Sequence, residues 1–336
     1  MINRQIVLAS YVSDAAQPEN FALSEGPVAD VGDGQFLLRN MYFSMEPAIR
    51  GWVDGKANYF EPIAIGGVIR GPSVGQVIKS CNKDFAEGDY VFALNQWEDY
   101  SICHSDAILL EKLSPEEGIP LSYYVGSLGG AGATAYIGLH EVGQIQAGQT
   151  VVVSAAAGAT GSMTGQIAKL CGCTVIGIVG SDAKAQLIVD EFGFDAAINY
   201  KTDDITAAVT AIAPEGADIY FDNVGGPVLN AMLPAMKVYG RIVGCGMISD
   251  YNRTDNPNPI TNLWEMVSRQ LTMQGFLLPT YQAKVPAAMA QLEEWIRAGK
   301  INVIENITQG FANTPKAFCD LMSGKTVGKA LVKIDL

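Results

Sequence analysis

The 336-residue sequence is poor in histidine, in positive charge and in long apolar runs. Its two histidines, His104 and His140, stand apart, and no His–Glu or Cys/His pair has the spacing of a zinc site, so a metal-dependent mechanism lacks its ligands. Six cysteines (Cys81, Cys103, Cys171, Cys173, Cys245 and Cys319) form no CxxC pair and no disulfide framework in a chain this long, and are expected as reduced, mostly buried thiols. No GxSxG nucleophile elbow occurs. Lys and Arg number 22 against 35 Asp and Glu, a net charge of −13, and no basic cluster interrupts the acidic surface. Such a surface repels phosphate backbones and anionic lipid, which disfavours nucleic-acid and membrane partners. No apolar run reaches transmembrane length and MINRQIVLAS has no signal-peptide core, so a cytoplasmic protein is expected.

What is present is an apolar, weakly charged composition, 49% hydrophobic and 17% charged, that fits two packed domains. Up to about residue 120, short alternating runs such as QFLLRNMYF and GDYVFAL are punctuated by Gly and Pro, a β-rich texture. From about 125 to 298, strand-like runs at 150–154, 174–180, 196–200, 218–224 and 240–246 alternate with helix-length stretches. Repeated β–α units with near-continuous apolar strands imply a doubly wound parallel sheet. A strand LTMQGFLL and a long helix from about 281 to 299 follow, and the tail is expected to rejoin the first domain.

One local pattern carries chemistry by itself. The apolar strand 151–154 runs through Ala157, Gly158, Thr160 and Gly161 directly into SMTGQIAKL. Glycines at such a turn let the backbone approach a pyrophosphate, and the helix N-terminus offers free N–H groups to it. The next strand ends in Gly180-Ser181, without the acid that binds the ribose 2′-hydroxyl of NAD. Gly180 leaves room for a further phosphate, Ser181 can donate to it, and Lys184 adds positive charge, so NADP(H) is the expected cofactor. Asp182 is expected to cap the helix that follows. Tyr200 and Lys201 follow the third strand on the adenosine side. Asn223, in DNVGG, and the run Cys245, Gly246, Met247, Ile248 close later strands, where ligands of doubly wound sheets lie.

Taken together, GDYVFALNQWEDYSI, GGAGATAYIGLHEVG, VVVSAAAGATGSMTGQIAKLCG, IVGSDAK, NYKT, FDNVGG, GRIVGCGMISDYN and GKALV resemble the zinc-free medium-chain dehydrogenases/reductases, specifically the alkenal/one oxidoreductase group of prostaglandin reductases and bacterial curcumin reductases. The resemblance spans nearly the whole chain. It implies a Rossmann domain over 123–299, a discontinuous GroES-like catalytic domain over 1–122 and 300–336, and a homodimer. It also implies NADPH-dependent reduction of the double bond of an enone or enal, by hydride transfer to the β-carbon. By the same resemblance Ala157, Gly158, Thr160 and Gly161 line the pyrophosphate, Lys184 and Ser181 hold the 2′-phosphate, and Tyr200 lies at the adenosine. Asn223 lies near the nicotinamide ribose, Cys245 to Tyr251 form a loop beside the cofactor, and Phe276-Leu277-Leu278 touch the nicotinamide.

Tyr251 matches the tyrosine that donates to the substrate carbonyl as charge gathers there; the ribose 2′-hydroxyl is the alternative donor. Thr326 stands where many relatives have Asn, and it is shorter. After Met45 the loop EPAIRGWVDGKANYFEP departs from the family's usual start; in it Trp52 and Tyr59 are candidate pocket walls, and aromatic packing accounts for them equally well. A zinc-free quinone oxidoreductase and a non-catalytic NADPH-binding protein are the competing readings.

Overall fold

A computed structural model describes residues 1–56, 60–107, 109–115, 117–253 and 255–335. The chain forms two compact units, Met1–Gly126 with Glu305–Leu336, and Ser127–Ile304.

The first unit opens with an antiparallel pair, β1 (Ile2–Leu8) and β2 (Phe21–Pro27). Five strands follow: β3 (Gln35–Ser44), β4 (Arg70–Ser80), β5 (Tyr90–Gln96), β6 (Tyr100–His104) and β7 (Glu111–Leu113). Alternation writes these strands: along β5, Val91, Ala93 and Asn95 are buried while Tyr90, Phe92 and Leu94 are less so. The buried amide of Asn95 is satisfied by Ser73 on β4 (3.0 Å), whose hydroxyl donates to Asn40 on β3 (2.7 Å). These three polar side chains sit inside the sheet bonded to one another.

The second unit contains α1 (Gly130–Ile137), β8 (Thr150–Ser154), α2 (Ala159–Leu170), β9 (Thr174–Val179), α3 (Asp182–Asp190), β10 (Ala196–Asn199) and α4 (Ile205–Ile212). It continues with β11 (Ala217–Asp222), α5 (Gly226–Met232), β12 (Met236–Gly244), α6 (Trp264–Ser268), β13 (Thr272–Gly275) and α7 (Val285–Arg297). All six strands are parallel, in the order β10-β9-β8-β11-β12-β13. Val151, Val152 and Val153 and the facing Ile219, Tyr220 and Phe221 are fully buried, as strands covered on both faces require. Strand order reverses between β8 and β11, so the crevice for a ligand opens beyond their C-terminal ends.

The chain then returns to the first unit with β14 (Glu305–Gln309), α8 (Thr314–Met322) and β15 (Lys329–Lys333). These strands complete a seven-stranded sheet ordered β14-β15-β3-β4-β5-β7, with β6 on β3. Lys329, 3% exposed, ties the start of β15 to Glu46 just after β3 (2.6 Å). The expected fold class therefore holds: a doubly wound Rossmann sheet and a discontinuous β-rich unit.

One element differs from expectation. The helix expected from about 281 begins at Val285, after a 3-10 turn over Leu278–Lys284 in which Tyr281 is non-helical (φ −109, ψ 21). Pro286, lacking an N–H, belongs in a first turn and not inside a longer helix.

Candidate functional site: a dinucleotide crevice

At the end of β8 the backbone turns sharply through Ala155 (φ +49) to Gly158, the N-cap of α2. No side chain caps this helix, which leaves its first-turn N–H groups to a ligand. The two glycines differ in kind. A Cβ on Gly161 would lie 2.3 Å from the carbonyl oxygen of Ala155, so the fold itself forbids a side chain there. A Cβ on Gly158 would meet only that oxygen, at 3.2 Å. Its bareness has little cause within the protein and matches a cradle for phosphate. Ala157 is buried beside it, and Thr160 is half-exposed in the first turn.

One strand over, Gly180 lies beneath the ring of Tyr200, whose nearest atom would be 3.0 Å from an added Cβ. Ser181, not Asp182, caps α3: its hydroxyl accepts from the Lys184 N–H at 3.3 Å and keeps its own proton to donate. Asp182 instead accepts from Asn199 Nδ2 (2.7 Å), which draws its carboxylate to the end of β10. The Lys184 ammonium is held below its ordinary pKa, first by burial and then by Lys201. Two like charges brought together are relieved by an anion, so Lys201, placed from sequence only on the adenosine side, joins Lys184 as a candidate for the phosphate. Ser181, Lys184 and Lys201 fit a 2′-phosphate, while the space over Gly180, expected from sequence to be open for it, is taken by the Tyr200 ring.

At the switch point the strand ends are laced together. Asp222 Oδ1 accepts from Tyr220 OH (2.7 Å), Ser154 Oγ (3.2 Å) and the N–H groups of Val224 and Gly225 (both 2.9 Å). Burial raises the Asp222 carboxyl above its usual range and raises Tyr220 well above 10. Asn223 is thereby fixed, its N–H on Ser154 Oγ (2.9 Å) and its Nδ2 on the Ser154 carbonyl (2.8 Å). The Cys245 and Gly246 N–H groups bond the Asp222 carbonyl, and Ile248 N–H bonds that of Asn223. Burial and the Asp222 charge push the Cys245 thiol up to about 12, so it is neutral and no nucleophile. Tyr251 turns its hydroxyl back along this loop, accepting from the Met247 N–H at 3.5 Å and lying 3.2 Å from the position of a Cβ on Gly246. Asp222 and Ser154 organise the loop, and the sequence signal for them was a polar residue closing each of two apolar strand runs.

Phe276 follows β13, its N–H on the Gly244 carbonyl (3.3 Å) and its ring edge-on to Phe221 and Tyr281. Leu277 is exposed and Leu278 begins the 3-10 turn. The remaining candidates belong to the first unit. Trp52 is buried in its core, edge-on to Phe60 (5.2 Å) with Arg70 over its ring, so aromatic packing accounts for it. Thr326 lies half-exposed between Gly324 and Gly328, both of positive φ. Tyr59 lies outside the described residues. Among the described residues no group of three or more His, Cys, Asp or Glu side chains is arranged to hold a metal ion.

Residues 4–110 match the family described as the N-terminal domain of oxidoreductase, and residues 159–294 the zinc-binding dehydrogenase family. The chain is 38% identical to the NADPH-dependent curcumin reductase of Escherichia coli, over 99% of this chain and 97% of that one. It belongs to the zinc-free medium-chain dehydrogenases/reductases of the NADPH-dependent alkenal/one oxidoreductase group. The NADP(+)-dependent 2-alkenal reductase of Nicotiana tabacum is equally similar, 38% identical over 99% of this chain and 97% of its own. Among solved structures, CurA from Vibrio vulnificus in complex with NADPH superposes with a TM-score of 0.93, at 39% identity and 99% coverage of both chains. An Escherichia coli quinone oxidoreductase, 22% identical with a TM-score of 0.79 over 98% of this chain and 99% of that one, shares the fold.

Proposed function

We propose that this chain reduces the carbon–carbon double bond of α,β-unsaturated ketones and aldehydes with NADPH, as a cytoplasmic homodimer. The observation that carries the reading is full-length similarity to a curcumin reductase and a 2-alkenal reductase, joined to a crevice with a bare phosphate cradle. Bound NADPH supplies the hydride for the β-carbon of the enone. The protein's part is to bind, orient and stabilise charge. Ala157, Gly158, Thr160 and Gly161 hold the pyrophosphate at the start of α2, and Ser181, Lys184 and Tyr200 take the adenosine 2′-phosphate end, with Gly180 leaving space for the Tyr200 ring. Asn223, the loop Cys245–Ile248 and the segment Phe276–Leu278 frame the nicotinamide end, and Thr326 remains a candidate cofactor contact by family resemblance.

Tyr251 donates its hydroxyl proton as a hydrogen bond to the substrate carbonyl oxygen as negative charge develops there. A donor so aimed lowers the barrier by about 2.7–4 kcal/mol. The dimer rests on β13: its four residues are exposed, one edge pairs β12, and no strand covers the other among the described residues. Trp264 (71% exposed), Val267 and Met273 lie on or just before it, an apolar edge that a second copy would cover.

The test follows NADPH absorbance with enones, quinones and simple ketones, with NADH in parallel. Rapid NADPH-dependent conversion of enones to saturated ketones is expected, and Tyr251→Phe should slow it by about 100- to 1,000-fold. Turnover confined to quinones would refute the enone reading, and unchanged turnover of Tyr251→Phe would remove that residue from the mechanism.

A further inference from the structure

The loop that carries Tyr251 is held shut by a buried carboxylate outside the dinucleotide crevice. Asp250 is 9% exposed. Its Oδ1 accepts two hydrogen bonds from one residue, Asn258, through the backbone N–H (2.9 Å) and Nδ2 (2.5 Å). Among the described residues its Oδ2 is buried with no hydrogen-bond partner. A buried carboxylate oxygen without a donor costs free energy. The side chain therefore hangs on Asn258 as its anchor.

That anchor is seated on the end of the sheet. Asn258 packs against Gly226, where an added Cβ would come within 3.1 Å of its side chain. On the other side of Asp250, the N–H and hydroxyl of Ser249 both bond the Val224 carbonyl (3.1 and 2.7 Å). The backbone at Asp250 closes on itself too, its N–H on the Met247 carbonyl and its carbonyl taking the Arg253 N–H (both 2.8 Å). Tyr251 thus rides on a segment fastened before it at Val224 and after it at Asn258, and the second fastening depends on one side chain.

We propose that Asp250 is a positioning residue for the reduction: its clasp on Asn258 holds the loop so that the Tyr251 hydroxyl stays beside Gly246. This rests on the reading of Tyr251 as the donor to the substrate carbonyl. Misplacement of a donor by about 1 Å costs on the order of 100-fold in rate. Asp250→Ala, which removes the clasp, is expected to lower kcat/KM for the enone by that order. Asp250→Asn keeps an Oδ1 acceptor for both Asn258 donors and should restore most of it. NADPH affinity should fall far less than turnover, because the loosened loop borders only the nicotinamide end and, among the described residues, Asp250 bonds none of the phosphate turn.

The experiment is a double-mutant cycle with Tyr251→Phe, read by enone turnover and by hydrogen–deuterium exchange over residues 247–258. Expected are faster exchange in Asp250→Ala and a loss of turnover that disappears when Tyr251 is already Phe. Equal losses in both backgrounds, or wild-type turnover of Asp250→Ala, would overturn the proposal. A silent Tyr251→Phe would instead refute the reading of the tyrosine. The exchange measurement would then stand alone: protection unchanged in Asp250→Ala would overturn the clasp as well.

Discussion

Gly158 and Gly161 sit three residues apart in one turn, yet alanine at each should fail in a different assay. At Gly161 the new methyl would lie 2.3 Å from the Ala155 carbonyl oxygen and 2.9 Å from the Cα of Ala156. Both are backbone atoms of the turn that leaves β8, where the Ala156 N–H is held on the Ile178 carbonyl (3.1 Å), so they cannot swing aside. Overpacking of this kind costs about 1–3 kcal/mol, and in a unit of this size Tm falls by about 2–4 °C for each. At Gly158 the backbone (φ −85, ψ 176) is open to any L-residue and the methyl meets one atom at 3.2 Å. Stability of the ligand-free protein should change by less than about 1 kcal/mol.

The methyl of Gly158→Ala would instead stand in the phosphate cradle. Loss of one hydrogen bond to a charged phosphate is worth about 1.5–3 kcal/mol, a weakening of NADPH binding of about 10- to 150-fold. Thermal unfolding without cofactor and fluorescence titration with NADPH separate the two effects. Wild-type NADPH affinity in Gly158→Ala would refute the cradle. A wild-type Tm in Gly161→Ala would refute the packing argument.

Lys184→Ala and Lys201→Ala should each weaken NADPH binding by about tenfold or more and leave NADH binding nearly unchanged, since each removes positive charge from the 2′-phosphate end; parallel titrations with the two cofactors check this. The Asp222 carboxyl, raised by burial, contributes stability below its ordinary pKa that is lost as pH rises through the folded value. Asp222→Asn keeps an Oδ1 for all four donors and carries no charge, so urea unfolding should show wild type losing stability relative to the variant as pH rises from about 4 towards 7. Met273→Lys on the exposed edge of β13 should shift the protein from dimer to monomer in analytical ultracentrifugation, and a wild-type sedimentation profile would place the interface elsewhere.

Local patterns carried most of the fold. The strand, small-residue turn and helix at 150–170 are contiguous, and their geometry is set by neighbours in sequence. The details that escaped are decided at long range. Ser181 and Asp182 are equally good caps, and Asn199, on another strand, drew the second away from the helix. The role of Asp222 depends on β11 lying beside β8, which brings Ser154 to its carboxylate. Lys201 gains meaning only once β10 sets it against Lys184. Trp52 reads alike as a pocket wall or as core until Phe60 and Arg70 are seen around it.

The return of β14 and β15 sets an order of events during synthesis. The sheet begun by β3 stays short of two strands while the ribosome makes Ser127–Ile304, roughly 10–35 s at about 5–20 residues per second. The Rossmann unit is contiguous and can fold in that interval, while the first unit waits with the Tyr42–Ser44 end of β3 lacking the partner that β15 supplies and Glu46 without Lys329. A nascent chain stalled before β15 would therefore expose an adhesive strand edge beside a finished nucleotide-binding unit.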